Sequence, residues 1–503
     1  MPTIVIKKKD LETLLAQAVD LDKLPAQLSL VKGEVKGYDE AAGEIKVELN
    51  DTNRPDLWSV EGLARQIRTH RRKKPEAYPF YSSKKKAAGV VKVAEGVREV
   101  RPYLGACIAK GLNIDEETLV QLIQVQEKLS DSFGRKRRLV SIGLYRLDPI
   151  QFPVHYKTAR PGSTRFVPLG FEEPMTLKAI LEKHPKGIAY RETLGKAPEY
   201  PLLVDSGDTI LSFPPIINSR AIGEVRVGDR DLFVEVTGTD LRMVALTVNI
   251  LAANLADRGA EIAPVEIRYP FSTVFGRKMT MPMPIAGSLA VRPEDFSEAL
   301  GEAVSIKDAV STLVRYGYTA RPKGKKIEVS VPPFRDDLLH PIDVVEDYAI
   351  SRGYDSFEPR MPSEFSVGGL TAIERFSDRV RDSMVGMGFQ EILSNILTDR
   401  SDFRDKMGLR DDEKGGVVVS VANVMSQTYS ILRDAIVPAL LRVEGASSKS
   451  FYPHRIFEVG ETAAVDPGSP EGTRTKLNLG ALLAHPGANF SEMHSVLDLL
   501  MYY

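Results

Sequence analysis

The stretch Val331-Pro332-Pro333-Phe334-Arg335-Asp336-Asp337-Leu338-Leu339-His340-Pro341-Ile342-Asp343-Val344-Val345-Glu346-Asp347 sets the reading of the whole chain. It follows a strand-like run, Lys325 to Val331, and opens a helix, so a strand passes through a proline-stiffened loop into a helix. Pro341 suits the first helical position, where its missing N–H would be unpaired in any case. Asp343, Glu346 and Asp347 then stand at i, i+3 and i+4 on one helical face. Asp337 lies just upstream and can fold back to that face. Four carboxylates with no nitrogen or sulfur ligand suit a hard cation such as magnesium. Acidic residues in a first helical turn also complement the helix macrodipole without a metal. The pattern alone leaves both readings open.

Short strands and helices alternate irregularly on either side of this stretch. Upstream, Ile306 to Tyr316 is a short amphipathic helix and Met279 to Ile285 is extended. Leu241 to Ala256 is apolar enough to be a helix buried on most sides. Thr209 to Pro215, Leu232 to Val236 and Leu139 to Leu144 read as strands, and Glu116 to Leu129 as a helix. Near the N-terminus, alternation around Val5 and over Glu44 to Leu49 marks half-buried strands. Leu57, Val60, Leu63, Ala64 and Ile67 follow at helical spacing, with Asp56 or Ser59 as cap. Downstream, a Pro/Ser/Gly stretch from Pro359 to Gly369 precedes a helix over Leu370 to Met387 and strands near Glu391, Gly416 and Arg455. Parallel βαβ repeats are absent, so the expected class is α+β, multidomain, built of small mixed α/β modules. Boundaries fall at 1–85, 91–269, 270–362 and 370–503. Four segments agree with the length of 503 residues.

Composition narrows the function. Lys plus Arg total 67 and Asp plus Glu total 68, which excludes a globally basic nucleic-acid binder but not a local basic patch. One cysteine, Cys107, rules out an intramolecular disulfide framework and a multi-cysteine zinc site. No apolar run approaches the roughly 18 residues that span a bilayer, and Met1 to Leu14 carries charge where a signal peptide needs an apolar core. A reduced, cytoplasmic setting is expected. No P-loop, Rossmann fingerprint, His-Glu-x-x-His or Gly-x-Ser-x-Gly motif occurs.

Two further patterns carry possible chemistry. In Leu211-Ser212-Phe213-Pro214-Pro215-Ile216-Ile217-Asn218-Ser219 the prolines fix an extended wall that cannot donate two hydrogen bonds. With Phe233-Val234-Glu235-Val236-Thr237-Gly238-Thr239-Asp240 it lines a polar pocket, or it is simply a strand ending in a turn before the long helix. Basic clusters at Arg68 to Lys74, Lys84 to Lys86 and Arg135 to Arg138 suit phosphate backbones or solvated linker loops alike.

In this order the pieces resemble the β subunit of phenylalanyl-tRNA synthetase, of the archaeal/eukaryotic type, over nearly the whole chain. The carriers are Asn53-Arg54-Pro55-Asp56, Gln126-Glu127-Lys128-Leu129 with Arg135-Lys136-Arg137 and Ile142-Gly143, the two pocket stretches, the acidic stretch, Asn423-Val424-Met425-Ser426 with Leu432-Arg433-Asp434, and Phe457-Glu458-Val459-Gly460. The resemblance implies an N-terminal α/β domain (1–85), a tRNA-editing domain (91–269), a magnesium-binding helical module (270–362) and a catalytic-like, class II synthetase-type antiparallel sheet domain (370–503). It implies Ser212, Glu235 and Thr237 as catalytic residues of editing, Leu203, Pro215 and Asn218 as further pocket residues, and Asp337, Asp343, Glu346 and Asp347 as magnesium ligands. It implies an α-subunit partner in an assembly of two α and two β chains, with ATP-dependent charging of tRNA(Phe) on α and hydrolysis of Tyr-tRNA(Phe) here. A pocket shaped for phenylalanine rejects an added hydroxyl by only about 10²-fold, which makes a second, sorting site useful. No Cys, His or Lys in these motifs offers a covalent nucleophile, so direct attack by water is expected. The chain departs from the family at Gly143-Leu144-Tyr145-Arg146, where His-Asp usually follows the Ile-Gly. The rival expectations are a non-enzymatic tRNA-binding or assembly scaffold, and a magnesium-dependent hydrolase acting through the four carboxylates.

Overall fold

The computed structural model describes residues 2–50, 53–82, 86–195, 197–285, 287–409, 418–447 and 449–503. Lys84 and Lys85 of the second basic cluster, and the strand expected near Gly416, lie outside the described residues. The chain forms two compact units, Met1–Pro359 and Arg360–Tyr503. No helix among the described residues is long and apolar enough to cross a membrane.

The first unit holds three principal sheets. The N-terminal one is antiparallel, with Glu44–Leu49 between Thr3–Lys7 and Gly33–Asp39. The helix Val60–Arg72 packs on the helix Lys8–Leu15, and its cap is Ser59, accepting from the Gly62 N–H at 3.1 Å. This helix corrects the linker reading of Arg68 to Lys74. Arg68 is buried and donates to Asp257 at 2.7 Å and Glu76 at 2.6 Å, while Arg65 donates to the same Asp257 at 2.8 Å. Arg258 in turn donates to Asp10 and to Glu61. A guanidinium enters a core only with its charge answered, and partners so distant in sequence leave no local sign.

The central sheet has ten strands. Its path runs Ile217–Asn218, Ile210–Phe213, Tyr200–Val204, Val154–Ala159, Gly89–Val93, Glu261–Arg268, Tyr103–Lys110, Leu232–Gly238, Val140–Arg146, and Lys278–Met281 pairs with Glu261–Arg268 off it. Most pairs are antiparallel; Gly89–Val93 runs parallel to both neighbours. The helix Leu241–Asp257, capped by Asp240 through the Met243 N–H, is buried along nearly its whole length against one face. The third sheet, Ser288–Val291, Lys326–Ser330 and Thr319–Lys323, packs with the helices Pro293–Leu300, Ile306–Tyr316 and Pro341–Arg352 around Phe296, Tyr318 and Tyr348.

In the second unit a long antiparallel hairpin, His454–Val465 with Thr473–Ala484, is edged by the two-residue strand Gln390–Glu391, which runs parallel to it. The described sheet is therefore mixed rather than wholly antiparallel. The helix Ala372–Gly386 supplies Met384 to a core with Phe389, Phe457 and Val459. Arg433 and Glu458 form a buried ion pair at 2.7 Å.

Candidate active site

Three paired strands build the site. Glu235 stands opposite Gly143 on one side and Ala106 on the other, Thr237 opposite Ser141 and Leu104, and Phe233 opposite Tyr145 and Ile108. Cross-strand partners share a face, as do residues two apart along a strand. The alternate residues, Val234 and Val236, belong to the apolar core on the face occupied by the long helix. There a Cβ on Gly105, the partner of Val236, would meet Val244 and Val248 of that helix at 3.0 Å. One face of these strands is core; the other carries a polar row.

At the centre of the row the Tyr145 hydroxyl lies 2.8 Å from Glu235 Oε2 and 2.8 Å from Ser212 Oγ. Tyr145 can reach them because Gly143 has no side chain: a Cβ there would stand 2.2 Å from the Tyr145 hydroxyl and 2.5 Å from Glu235 Oε2. Glu235 is 2% exposed, and its Oε1 has no hydrogen-bond partner. Burial pushes its carboxyl up to about 7, against the pull of Tyr145, Arg101 and Thr237. Behind it Arg101, also buried, donates to Thr237 Oγ1 at 3.0 Å, to the Thr237 carbonyl at 2.7 Å and to Ser141 Oγ at 3.1 Å. Burial lowers the Arg101 guanidinium to about 10.

Arg101 also donates to the carbonyls of Arg137 and Arg138. That ties in a segment whose residues Arg135, Lys136 and Arg137 all have positive φ, at 50°, 54° and 63°. Left-handed backbone costs a non-glycine residue roughly 1 kcal/mol, so the surroundings hold this turn in place. Arg137 donates to the carbonyls of Pro215 and Ile216 at 3.0 Å and lies 4.2 Å over the Tyr190 ring.

Of these groups Arg137, Ser141, Gly143, Tyr145, Ser212 and Glu235 line a cavity of about 410 Å³. Of the six expected pocket residues it takes in Ser212, Pro215, Asn218 and Glu235. Two placements are corrected. Leu203 pairs with Ser212 across the strands but is wholly buried in the apolar core, and Thr237, fully buried, is engaged with Arg101 and Ser141; neither lines the cavity. Gln126, Glu127, Arg137, Lys186 and Glu224 complete the polar lining. Tyr145 and Arg101 were missed. The strand expected over Leu139 to Leu144 runs as Val140–Arg146, and its alternation Ser141, Gly143, Tyr145 was the available signal. Arg101 had none.

The acidic stretch behaves differently from the expected metal site. Arg335, buried, places its guanidinium 2.5 Å from Asp337 and 2.8 Å from Asp347. Tyr318 also donates to Asp347. Asp343 accepts the N–H groups of Leu339 and His340, each at 2.7 Å, closing the helix start, and Glu346 pairs with Lys32 at 2.6 Å. Although burial opposes it, the positive charge of Arg335 holds the Asp337 carboxyl below its usual range. No cluster of three or more His, Cys, Asp or Glu among the described residues is placed to hold a metal ion. The four carboxylates stay near one helix, but Arg335 takes Asp337 and Asp347, backbone N–H groups take Asp343 and Lys32 takes Glu346, and as placed they do not fit a magnesium ion.

Comparison with known proteins fits this architecture. The family model of the tRNA synthetase B5 domain matches residues 289–354, and that of the phenylalanyl-tRNA synthetase β chain CLM domain matches residues 358–502. These place the chain among the tRNA synthetases. The chain is 40% identical over 507 residues to the phenylalanine–tRNA ligase β subunit of Borrelia hermsii, covering 100% of this chain and 89% of that protein. It is 40% identical over 477 residues to that of Borreliella burgdorferi strain ZS7, covering 94% of this chain and 83% of that protein. A crystal structure of an N-terminal fragment of the Pyrococcus horikoshii phenylalanyl-tRNA synthetase β subunit superposes with a TM-score of 0.66 at 35% identity, covering 70% of this chain and all of the fragment. The chain belongs to the family of phenylalanine–tRNA ligase β subunits.

Proposed function

We propose that this chain works with a synthetase α subunit, as two α and two β chains in the cytoplasm, and that it removes tyrosine from mischarged tRNA(Phe). On this reading α binds ATP and charges tRNA(Phe) with phenylalanine. The second unit serves as a class II-like, non-catalytic partner to α. The similarity to an archaeal fragment supports the archaeal/eukaryotic type. The observation that carries the editing role is the hydrogen-bonded set Glu235, Tyr145 and Ser212 in the wall of a 410 Å³ cavity. A tyrosine hydroxyl can donate to that carboxylate and a phenylalanine ring cannot. A site that leaves a buried polar group unpaired rejects the analogue lacking its partner. Ser212 is placed to orient the ester or the attacking water, and Pro215 and Asn218 bound the space. Water adds across the ester carbonyl, releasing tyrosine and a tRNA with a free terminal hydroxyl; the tRNA's own hydroxyl relays the proton. Thr237 acts from behind the wall, through Arg101.

The test is deacylation of Tyr-tRNA(Phe) and Phe-tRNA(Phe) by the αβ complex. Tyr-tRNA(Phe) is expected to be cleared selectively, and Glu235→Ala to slow that clearance by roughly 10- to 150-fold, the worth of one charge-assisted hydrogen bond of about 1.5–3 kcal/mol. Equal loss of phenylalanine charging would assign Glu235 to the fold. A complex that clears no Tyr-tRNA(Phe) would leave the scaffold reading.

A further inference from the structure

Tyr145 occupies the position where this chain departs from the family pattern. A phenol has one proton and its oxygen accepts as well. With Glu235 ionised, Tyr145 donates to Oε2 and accepts the Ser212 proton, so the three side chains form one short hydrogen-bonded chain. The protein thus holds Glu235 through Oε2 and fixes the plane of its carboxylate. Tyr145 is wholly buried, and its ring packs 5.9 Å from Phe233. That packing fixes the ring, and the ring fixes which carboxylate oxygen is spent.

We propose that Tyr145 is the positioning residue of this cavity: by bridging Glu235 Oε2 and Ser212 Oγ it holds the carboxylate and the hydroxyl in fixed places on the wall that meets the para-hydroxyl and ester of the ligand. This rests on the editing reading above. A carboxylate free to rotate would fold onto Ser212 or turn from the cavity, and would grip the hydroxyl less selectively. Tyr145 also acts on ionisation. Its hydrogen bond is the strongest of the influences that pull Glu235 down against burial. The other charged or titratable groups about Glu235 are Arg101 and Tyr156 behind it and Glu127, Arg137, Lys186 and Glu224 in the cavity lining. Removing the phenol therefore leaves a carboxyl that ionises at higher pH.

The experiment compares the parent αβ complex with Tyr145→Phe in Tyr-tRNA(Phe) deacylation across pH 6 to 9. The variant is expected to lose about tenfold in clearance near pH 7, mostly in kcat, with the acid limb of its pH profile displaced to higher pH and partial recovery at pH 9. Should Tyr145→Phe fold poorly, Ser212→Ala breaks the other end of the same chain and is expected to weaken discrimination between Tyr-tRNA(Phe) and Phe-tRNA(Phe). A folded Tyr145→Phe complex with the parent's rate and pH profile overturns the assignment while leaving editing intact. A uniform loss at every pH assigns Tyr145 to packing alone and overturns it too. A parent that clears no Tyr-tRNA(Phe) overturns the editing reading and this one with it.

Discussion

Gly143→Ala adds one methyl group at the most crowded point of the site. The new Cβ would stand 2.2 Å from the Tyr145 hydroxyl and 2.5 Å from Glu235 Oε2. Ordinary contact requires a retreat of about 1 Å, which takes the hydroxyl beyond the roughly 3.2 Å limit of a good hydrogen bond to either partner. The bond to the carboxylate is worth about 1.5–3 kcal/mol and the bond to Ser212 about 0.5–1.5 kcal/mol. The sum, about 2–4.5 kcal/mol, also falls within reach of the overpacking cost of about 1–3 kcal/mol for an added methylene in a packed core. Trp58, the single tryptophan, is buried in the first unit, so its fluorescence during denaturant unfolding reports the unit that holds the site. The expected outcome is a lower unfolding midpoint together with at least about tenfold slower clearance of Tyr-tRNA(Phe). A variant with the parent's midpoint and the parent's clearance would show that Tyr145 does not lie across Gly143 onto Glu235, and the site as described would fail.

Glu235 has a folded pKa of about 7 against an ordinary 4.5, so its contribution favours the fold below about 4.5 and is lost as pH rises to about 7. Comparing unfolding of the parent with Glu235→Gln from pH 4.5 to 8 should show the variant gaining up to roughly 3 kcal/mol relative to the parent as pH rises; a pH-independent difference would refute the shift. Arg101→Met removes five hydrogen bonds from a buried cluster and should destabilise the first unit by about 3–5 kcal/mol, the cost typical of breaking a buried charged network; a change under about 1 kcal/mol would count against it. Because Asp337 and Asp347 are answered by Arg335, millimolar magnesium should leave the melting temperature of the isolated chain unchanged, and a clear upward shift would restore the metal site.

Much of the fold was legible because it rests on local periodicity and local caps. The helix expected from Ile306 to Tyr316 is found with those ends, between Ser305 as cap and the left-handed Gly317. The long helix differs by one residue. Failures concentrate where buried arginines take up carboxylates. Arg68 looked like part of a solvated run until Asp257 answered it, and Asp337 and Asp347 looked like ligands until Arg335 did. The metal reading rested on spacing along a helix together with the family resemblance. Spacing fixes which face a carboxylate leaves from, but not which cation it meets. The cavity was partly legible: Ser212, Pro215, Asn218 and Glu235 line it. Tyr145 escaped because strand pairing, not sequence distance, brings it to Glu235.

The alternation along Leu232–Gly238 has a consequence for how such a site can diversify. Odd-numbered positions face the cavity side and even-numbered ones the helix core. A substitution at Gly143, Tyr145 or Glu235 therefore alters what the cavity accepts while the packing of Val234 and Val236 is left alone. An insertion or deletion of one residue would do the opposite, turning Glu235 into the apolar core and a valine into the cavity at one stroke. New ligand preferences can thus arise by point replacement on every second residue of these strands, while changes of length are confined to the turns between them.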